Sequence, residues 1–151
     1  MNRSLCAILP FRNAEHLALT LIPEYIEVFS ELPADWEIVA VDDGSQDATP
    51  EILCELAQVY PQLRVATTVQ PRGFYTALCT ALSLSQACTL FIPLRYRLIP
   101  LDAMHRLWAA AQKHSLVVGI PTYRTEYDEI ECLMLHRGVA SPVFPALSSP
   151  D

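Results

Sequence analysis

From Ser4 to Ile120 the chain alternates between short apolar runs, many of them β-branched, and longer segments with apolar residues at helical spacing. That alternation, with short links, predicts a mostly parallel sheet flanked by helices, an α/β fold. Ser4 to Leu9 reads as a buried strand. Leu17, Leu21, Tyr25, Val28 and Leu32 follow at helical spacing, and Pro23 is expected to kink or restart that helix. Trp36 to Val41 is the second strand. Thr49-Pro50 starts a helix, a cap residue followed by proline in the first turn. Ile52, Leu53, Leu56, Ala57 and Tyr60 form its buried face. Leu63 to Val69 is the third strand. Gly73 opens a helix marked by Phe74, Leu78, Ala81 and Leu82. Thr89 to Ile92 is the fourth strand. Met104, Leu107, Trp108 and Ala111 mark a fourth helix, and Leu116 to Ile120 a fifth strand.

Past Pro121 the pattern dissolves. Residues 121–151 are expected to be an extension of a 1–120 domain. Glu131 to His136 suits one more strand, antiparallel and at an edge. Ser141 to Asp151, rich in proline and serine, suits a loose tail.

Composition narrows the function. The chain has 151 residues, of which 52% are hydrophobic, enough for a packed core. No apolar run is long enough to span a bilayer. The stretch before Pro10 is too short for a secretory signal and has no small-residue cleavage pattern, so a cytoplasmic protein is expected. Net charge is −7 and Lys113 is the only lysine. No basic stripe exists to bind a phosphate backbone, which argues against nucleic acid as a partner. Five cysteines, with no Cys-x-x-Cys pair, read mainly as buried free thiols. The four glycines cannot compose a Rossmann or P-loop phosphate turn. His16, His105, His114 and His136 show no metal-ligand spacing, and no Gly-x-Ser-x-Gly elbow is present.

One segment points to a site. The second strand runs straight into Asp42-Asp43-Gly44-Ser45. Two adjacent carboxylates, a glycine and a hydroxyl at a strand's carboxyl end suit ligand binding, because open α/β sheets bind there. The same residues are ordinary turn formers, and Ser45 or Asp47 also suits the cap of the next helix.

With its neighbours, this turn resembles the family 2 glycosyltransferases of GT-A fold. Leu9-Pro10-Phe11-Arg12-Asn13-Ala14-Glu15 is similar to the family's first strand and Pro-x-x-Asn-Glu-type turn. Glu37 through Thr49 is similar to its second strand and Asp-Asp-Gly-Ser-x-Asp-x-Thr loop. Arg72-Gly73-Phe74 and Ala77 resemble the turn and helix after the third strand. Leu90-Phe91-Ile92 and Leu98-Ile99-Pro100 bracket the family's metal motif.

The resemblance implies a nucleotide-binding half in which Pro10, Phe11 and Glu15 flank base and ribose. Asp42 or Asp43 would accept from the base, with Ser45 in the same loop and Arg72 nearby. It implies a nucleotide-sugar, such as a UDP-sugar, as partner. The family's Asp-x-Asp metal ligands fall on Pro93 and Arg95, so the reading includes no metal and no cofactor. Family members also continue past this point with an acceptor-binding half. Three readings stay open. One is a degenerate glycosyltransferase domain that keeps nucleotide affinity. Another is an active, metal-independent transferase in which Arg95 and Arg97, in phase on an extended segment, answer the diphosphate. The third is a scaffold or regulatory subunit with a protein partner. Glu126, Asp128, Glu129 and Glu131 match no catalytic motif and read as a solvated acidic loop.

Overall fold

The computed structural model describes residues 2–122 and 129–143. Its elements run β1 (Ser4–Phe11), α1 (Glu15–Ser30), β2 (Asp35–Asp43), α2 (Thr49–Val59), β3 (Leu63–Thr68), α3 (Phe74–Leu84), β4 (Thr89–Pro93), α4 (Leu101–Ala111), β5 (Leu116–Gly119), β6 (Cys132–His136) and α5 (Arg137–Val143). They form one six-stranded sheet in the order β3-β2-β1-β4-β6-β5. β1, β2, β3 and β4 are mutually parallel.

β1 shows why the sheet is covered on both sides. Leu5, Ala7, Leu9 and Phe11 pack against residues of α1, α2 and α4. Cys6 and Ile8 alternate onto the other face, against α3 and α5. Strands buried on both faces read as continuous apolar runs, as β1 does. The first face holds an aromatic cluster, with Tyr25 5.6 Å from Phe29 and 5.8 Å from Phe91, centroid to centroid.

Three local expectations change. α1 runs through Pro23 without a restart. Ile22, Tyr25 and Phe29 are fully buried on either side of it, and that packing outweighs one missing backbone hydrogen bond. Leu17, counted in the apolar helical spacing, is 45% exposed. The antiparallel strand is not an edge strand: β6 lies between β4 and β5, bonded to both, and β5 forms the edge. Its apolar face, Leu133 and Leu135 on one side and Met134 on the other, belongs to both core clusters. A strand covered on both faces gains more inside the sheet than at its rim.

The chain then turns into α5, where the loose tail was expected to begin at Ser141; residues 144–151 lie outside the described residues. Arg137 fixes this turn. Its guanidinium donates to the carbonyl oxygens of Leu82, Ser85 and Ala87, at 3.3, 2.7 and 2.8 Å. Those carbonyls lie at and beyond the end of α3, where helix carbonyls lack partners.

The cysteines are all free, but only Cys6 and Cys132 are buried; Cys54 is exposed and Cys79 and Cys88 are intermediate. Burial pushes the Cys6 and Cys132 thiols up to about 11. Thiolates alkylate and thiols do not. Timed iodoacetamide labelling at neutral pH, read by mass spectrometry, should modify Cys54 first. Cys6 and Cys132 should react only when denaturant is added; early labelling of Cys6 would contradict the core described here.

Candidate functional site

The chain winds from β1 outward to β3, then crosses back to place β4 on the other side of β1. The gap between β1 and β4 at the carboxyl edge is the switch point at which open α/β sheets bind ligands. A cleft of about 320 Å³ lies there. Its lining includes Pro10 and Phe11 from β1, Asp43 from β2, Phe74 and Ala77 from α3, and Arg95 and Tyr96 after β4.

The two acids of the turn separate. Successive residues on a strand face opposite sides, and only Asp43 lines the cleft. Asp43 is 7% exposed. Its Oδ1 accepts from the Arg72 N–H at 2.8 Å and its Oδ2 from the Gly73 N–H at 3.0 Å. Gly73 has φ +91°, which its lack of a side chain permits. Asp43 therefore shapes the start of α3 while its carboxylate faces the cleft. Asp42 is turned away. Its Oδ1 accepts from the Ser45 N–H at 3.3 Å, and its buried Oδ2 has no hydrogen-bond partner among the described residues.

Glu15 and Ser45 join the two turns instead of lining the cleft. Ser45 Oγ accepts from the Asn13 N–H at 2.9 Å, and Asn13 Oδ1 accepts from the Gln46 N–H at 2.8 Å. Glu15 Oε2 accepts from the Ala48 N–H at 3.0 Å, and Asp47 Oδ2 from the Glu15 N–H at 3.3 Å. Asp47 also accepts from the Thr49 N–H at 3.0 Å, a turn bond just ahead of α2, whose cap position is Ala48 and carries no side-chain cap. The Thr49 hydroxyl, followed by nearby backbone N–H groups, holds the Asp47 carboxyl below its ordinary range. The turn-forming reading thus accounts for Ser45 and Asp47, and the ligand reading keeps Asp43. Arg72 engages through its backbone and its side chain does not line the cleft.

The segment after β4 departs from expectation. Arg95 and Arg97 do not point together. Residues 94–96 form a bend, and the Arg97 N–H donates to the Arg95 carbonyl at 2.8 Å. Extended phase is lost. Arg95 reaches the cleft, paired with Glu129. Arg97 pairs with Glu131 at 3.1 Å and lines a different cavity, beside α4 and β5. Tyr25 fixes the segment from below. Its hydroxyl donates to the Arg97 carbonyl at 2.6 Å and accepts from the Ile99 N–H at 3.3 Å. Glu129 and Glu131 are thus partners of these arginines, which the solvated-loop reading did not anticipate; Glu126 and Asp128 lie outside the described residues.

Tyr96 is the residue that sequence reasoning passed over. Its ring stacks on Phe11 with centroids 5.7 Å apart and planes at 15°, and its hydroxyl accepts from the Arg12 N–H at 3.1 Å. An aromatic set between two arginines just beyond a strand end was the available signal.

A mixed, mostly parallel α/β sheet with an acid-bearing turn and a cleft at its switch point defines a GT-A-type domain. The profile of glycosyl transferase family 2 matches residues 6–92, and the chain belongs to that family. Among solved structures it resembles the mannosyltransferase PcManGT of Pyrobaculum calidifontis in complex with GDP-Man and Mn2+. The TM-score is 0.74 at 21% identity, over 95% of this chain and 47% of that one. It also resembles S. aureus TarS 1-349, with TM-score 0.66 at 19% identity, over 84% of this chain and 38% of that one. A TarS structure in complex with UDP-GlcNAc gives 0.64. The likeness establishes the fold, and the chain spans less than half the length of these structures. No curated protein sequence matches it.

A divalent ion of the kind held by the mannosyltransferase needs hard oxygen donors. Pro93 and Arg95 supply none, and among the described residues no three His, Cys, Asp or Glu side chains gather to hold a metal. This donor set does not fit such an ion. No described helix is long and apolar enough to cross a membrane.

Proposed function

We propose that this domain binds a nucleotide or nucleotide-sugar, such as a UDP-sugar, in the β1–β4 cleft and does not carry out metal-assisted sugar transfer. The observation that carries this reading is Asp43. It is a nearly buried carboxylate on a cleft whose lining is mainly apolar, with Leu9, Pro10, Phe11, Phe74 and Ala77, and carries Arg12, Arg95 and Tyr96 besides. Apolar walls with a single placed acceptor suit a flat heterocycle bearing an N–H donor. The separation of Arg95 from Arg97 removes that pair as the one that would answer a diphosphate without a metal. We place the ligand contacts within residues 1–120 and give the 121–151 extension a supporting part, through the pairing of Glu129 with Arg95. Five free cysteines favour a reducing compartment, in keeping with a cytoplasmic protein.

Isothermal titration of the full chain with UDP, GDP and their sugars, alongside a hydrolysis and transfer assay, tests the reading. Saturable binding without sugar release is the expected result. No binding at millimolar ligand would remove the nucleotide function, and steady turnover would restore the transferase.

A further inference from the structure

We propose that Tyr96 sets the ligand class of this cleft, so that it selects a nucleoside and gives a 5′-diphosphate no advantage. The proposal rests on the nucleotide reading above and names what that site discriminates. Tyr96 is held on two sides, by the Phe11 ring and by the Arg12 N–H. It is still 45% exposed, so one side of the ring is open to a ligand. It lies directly after Arg95, on the part of the rim where an anion would have to find a cation. The phenol offers no charge there. Burial, with the Asp43 carboxylate nearby, raises its pKa above the ordinary tyrosine value, so it stays neutral at physiological pH.

The charges around it agree. Asp43 and Arg12 both lie on the cleft lining and offset one another, and Arg95, the cation after β4 that reaches the cleft, is paired with Glu129. The whole chain carries −7. A diphosphate entering would meet Asp43 as well as Arg12 and would compete with Glu129 for Arg95. A base would meet Asp43 as acceptor and the aromatic rings of Phe74 and Tyr96 for stacking.

The experiment compares uridine and guanosine with their 5′-diphosphates, with and without Mn2+, by calorimetric competition on the full chain. For whichever base binds, nucleoside and diphosphate should agree within about threefold, and Mn2+ should change neither. Tyr96→Ala should weaken the nucleoside at least about fivefold, while Tyr96→Phe, which keeps the stack, should retain most of the affinity. Melting curves of both variants establish that they are folded; the Phe variant carries the test if the Ala variant is not, and a large loss in it would move the role from the ring to the hydroxyl and overturn the stacking argument. A diphosphate more than about tenfold tighter than its nucleoside overturns the inference while leaving nucleotide binding intact. Absence of binding by every compound overturns both.

Discussion

Gly44→Ala should lower the melting temperature of this protein by roughly 10 °C. Gly44 sits at φ +67°, and a Cβ there would lie 2.4 Å from the Pro71 nitrogen and 2.6 Å from the Gln70 carbonyl carbon. Left-handed backbone alone costs an alanine about 1–2 kcal/mol. The clash adds to it, because its partners are backbone atoms of the neighbouring loop and no side chain can rotate away. A total of about 3 kcal/mol or more is expected. The turn sets both the direction of Asp43 and the seat of the loop after β3, so ligand affinity should fall with stability. Differential scanning calorimetry decides the matter. A melting temperature within about 2 °C of the parent would show that the two loops are not in the contact described.

The second large effect separates the paired acids. Asp43→Ala should weaken nucleoside binding about tenfold or more, whereas Asp42→Ala should change it less than about twofold. Losing a buried acceptor costs roughly 1–3 kcal/mol. In Asp43→Ala that loss also strands the Arg72 and Gly73 N–H groups, so the start of α3 loosens as well. Asp43→Asn tests this, since its amide keeps one acceptor and should recover part of the stability. Asp42 presents an unpartnered oxygen away from the cleft, and its removal gives up one 3.3 Å bond to Ser45. Equal losses of affinity from the two alanine variants would mean that the pleat does not divide them in the way found here.

Much of this was legible in the residues. The alternation of β-branched runs with helical periodicity gave β1 to β5 and α1 to α4, because the central strands β1 and β4 are buried on both faces and the helices pack one face on the sheet. The Asp-Asp-Gly-Ser turn lies at the sheet edge that holds the cleft. What the residues did not reveal depends on neighbours distant in the chain. Which of Asp42 and Asp43 faces the cleft follows from the pleat, and the pleat's phase is set by Val39 and Val41 packing under α3. The parting of Arg95 from Arg97 depends on the Tyr25 hydroxyl, 72 positions from Arg97 in the chain, and on glutamates from the approach to β6. Glu15 and Ser45 matched a ligand pattern but are spent on the reciprocal bonds between two turns, which no local periodicity encodes. Pro23 was weighed by its own chemistry, and the packing of Ile22, Tyr25 and Phe29 decided otherwise.

The place of β6 has a consequence for the order of events during synthesis. β1 to β4 can hydrogen-bond to one another as soon as they leave the ribosome, since each finds its partner among residues already made. β5 cannot. Among the described residues its one partner is β6, which lies between it and β4. Until residues 132–136 emerge and insert, β5 stays unpaired, and β4 keeps an open edge beside the forming cleft. Among the described residues β6 is therefore the strand that joins β5 to the sheet, and Arg137, the next residue, then draws the end of α3 against it. A nascent chain held short of that point carries exposed apolar strand edges, the surface that chaperones bind and that unassisted chains use to aggregate.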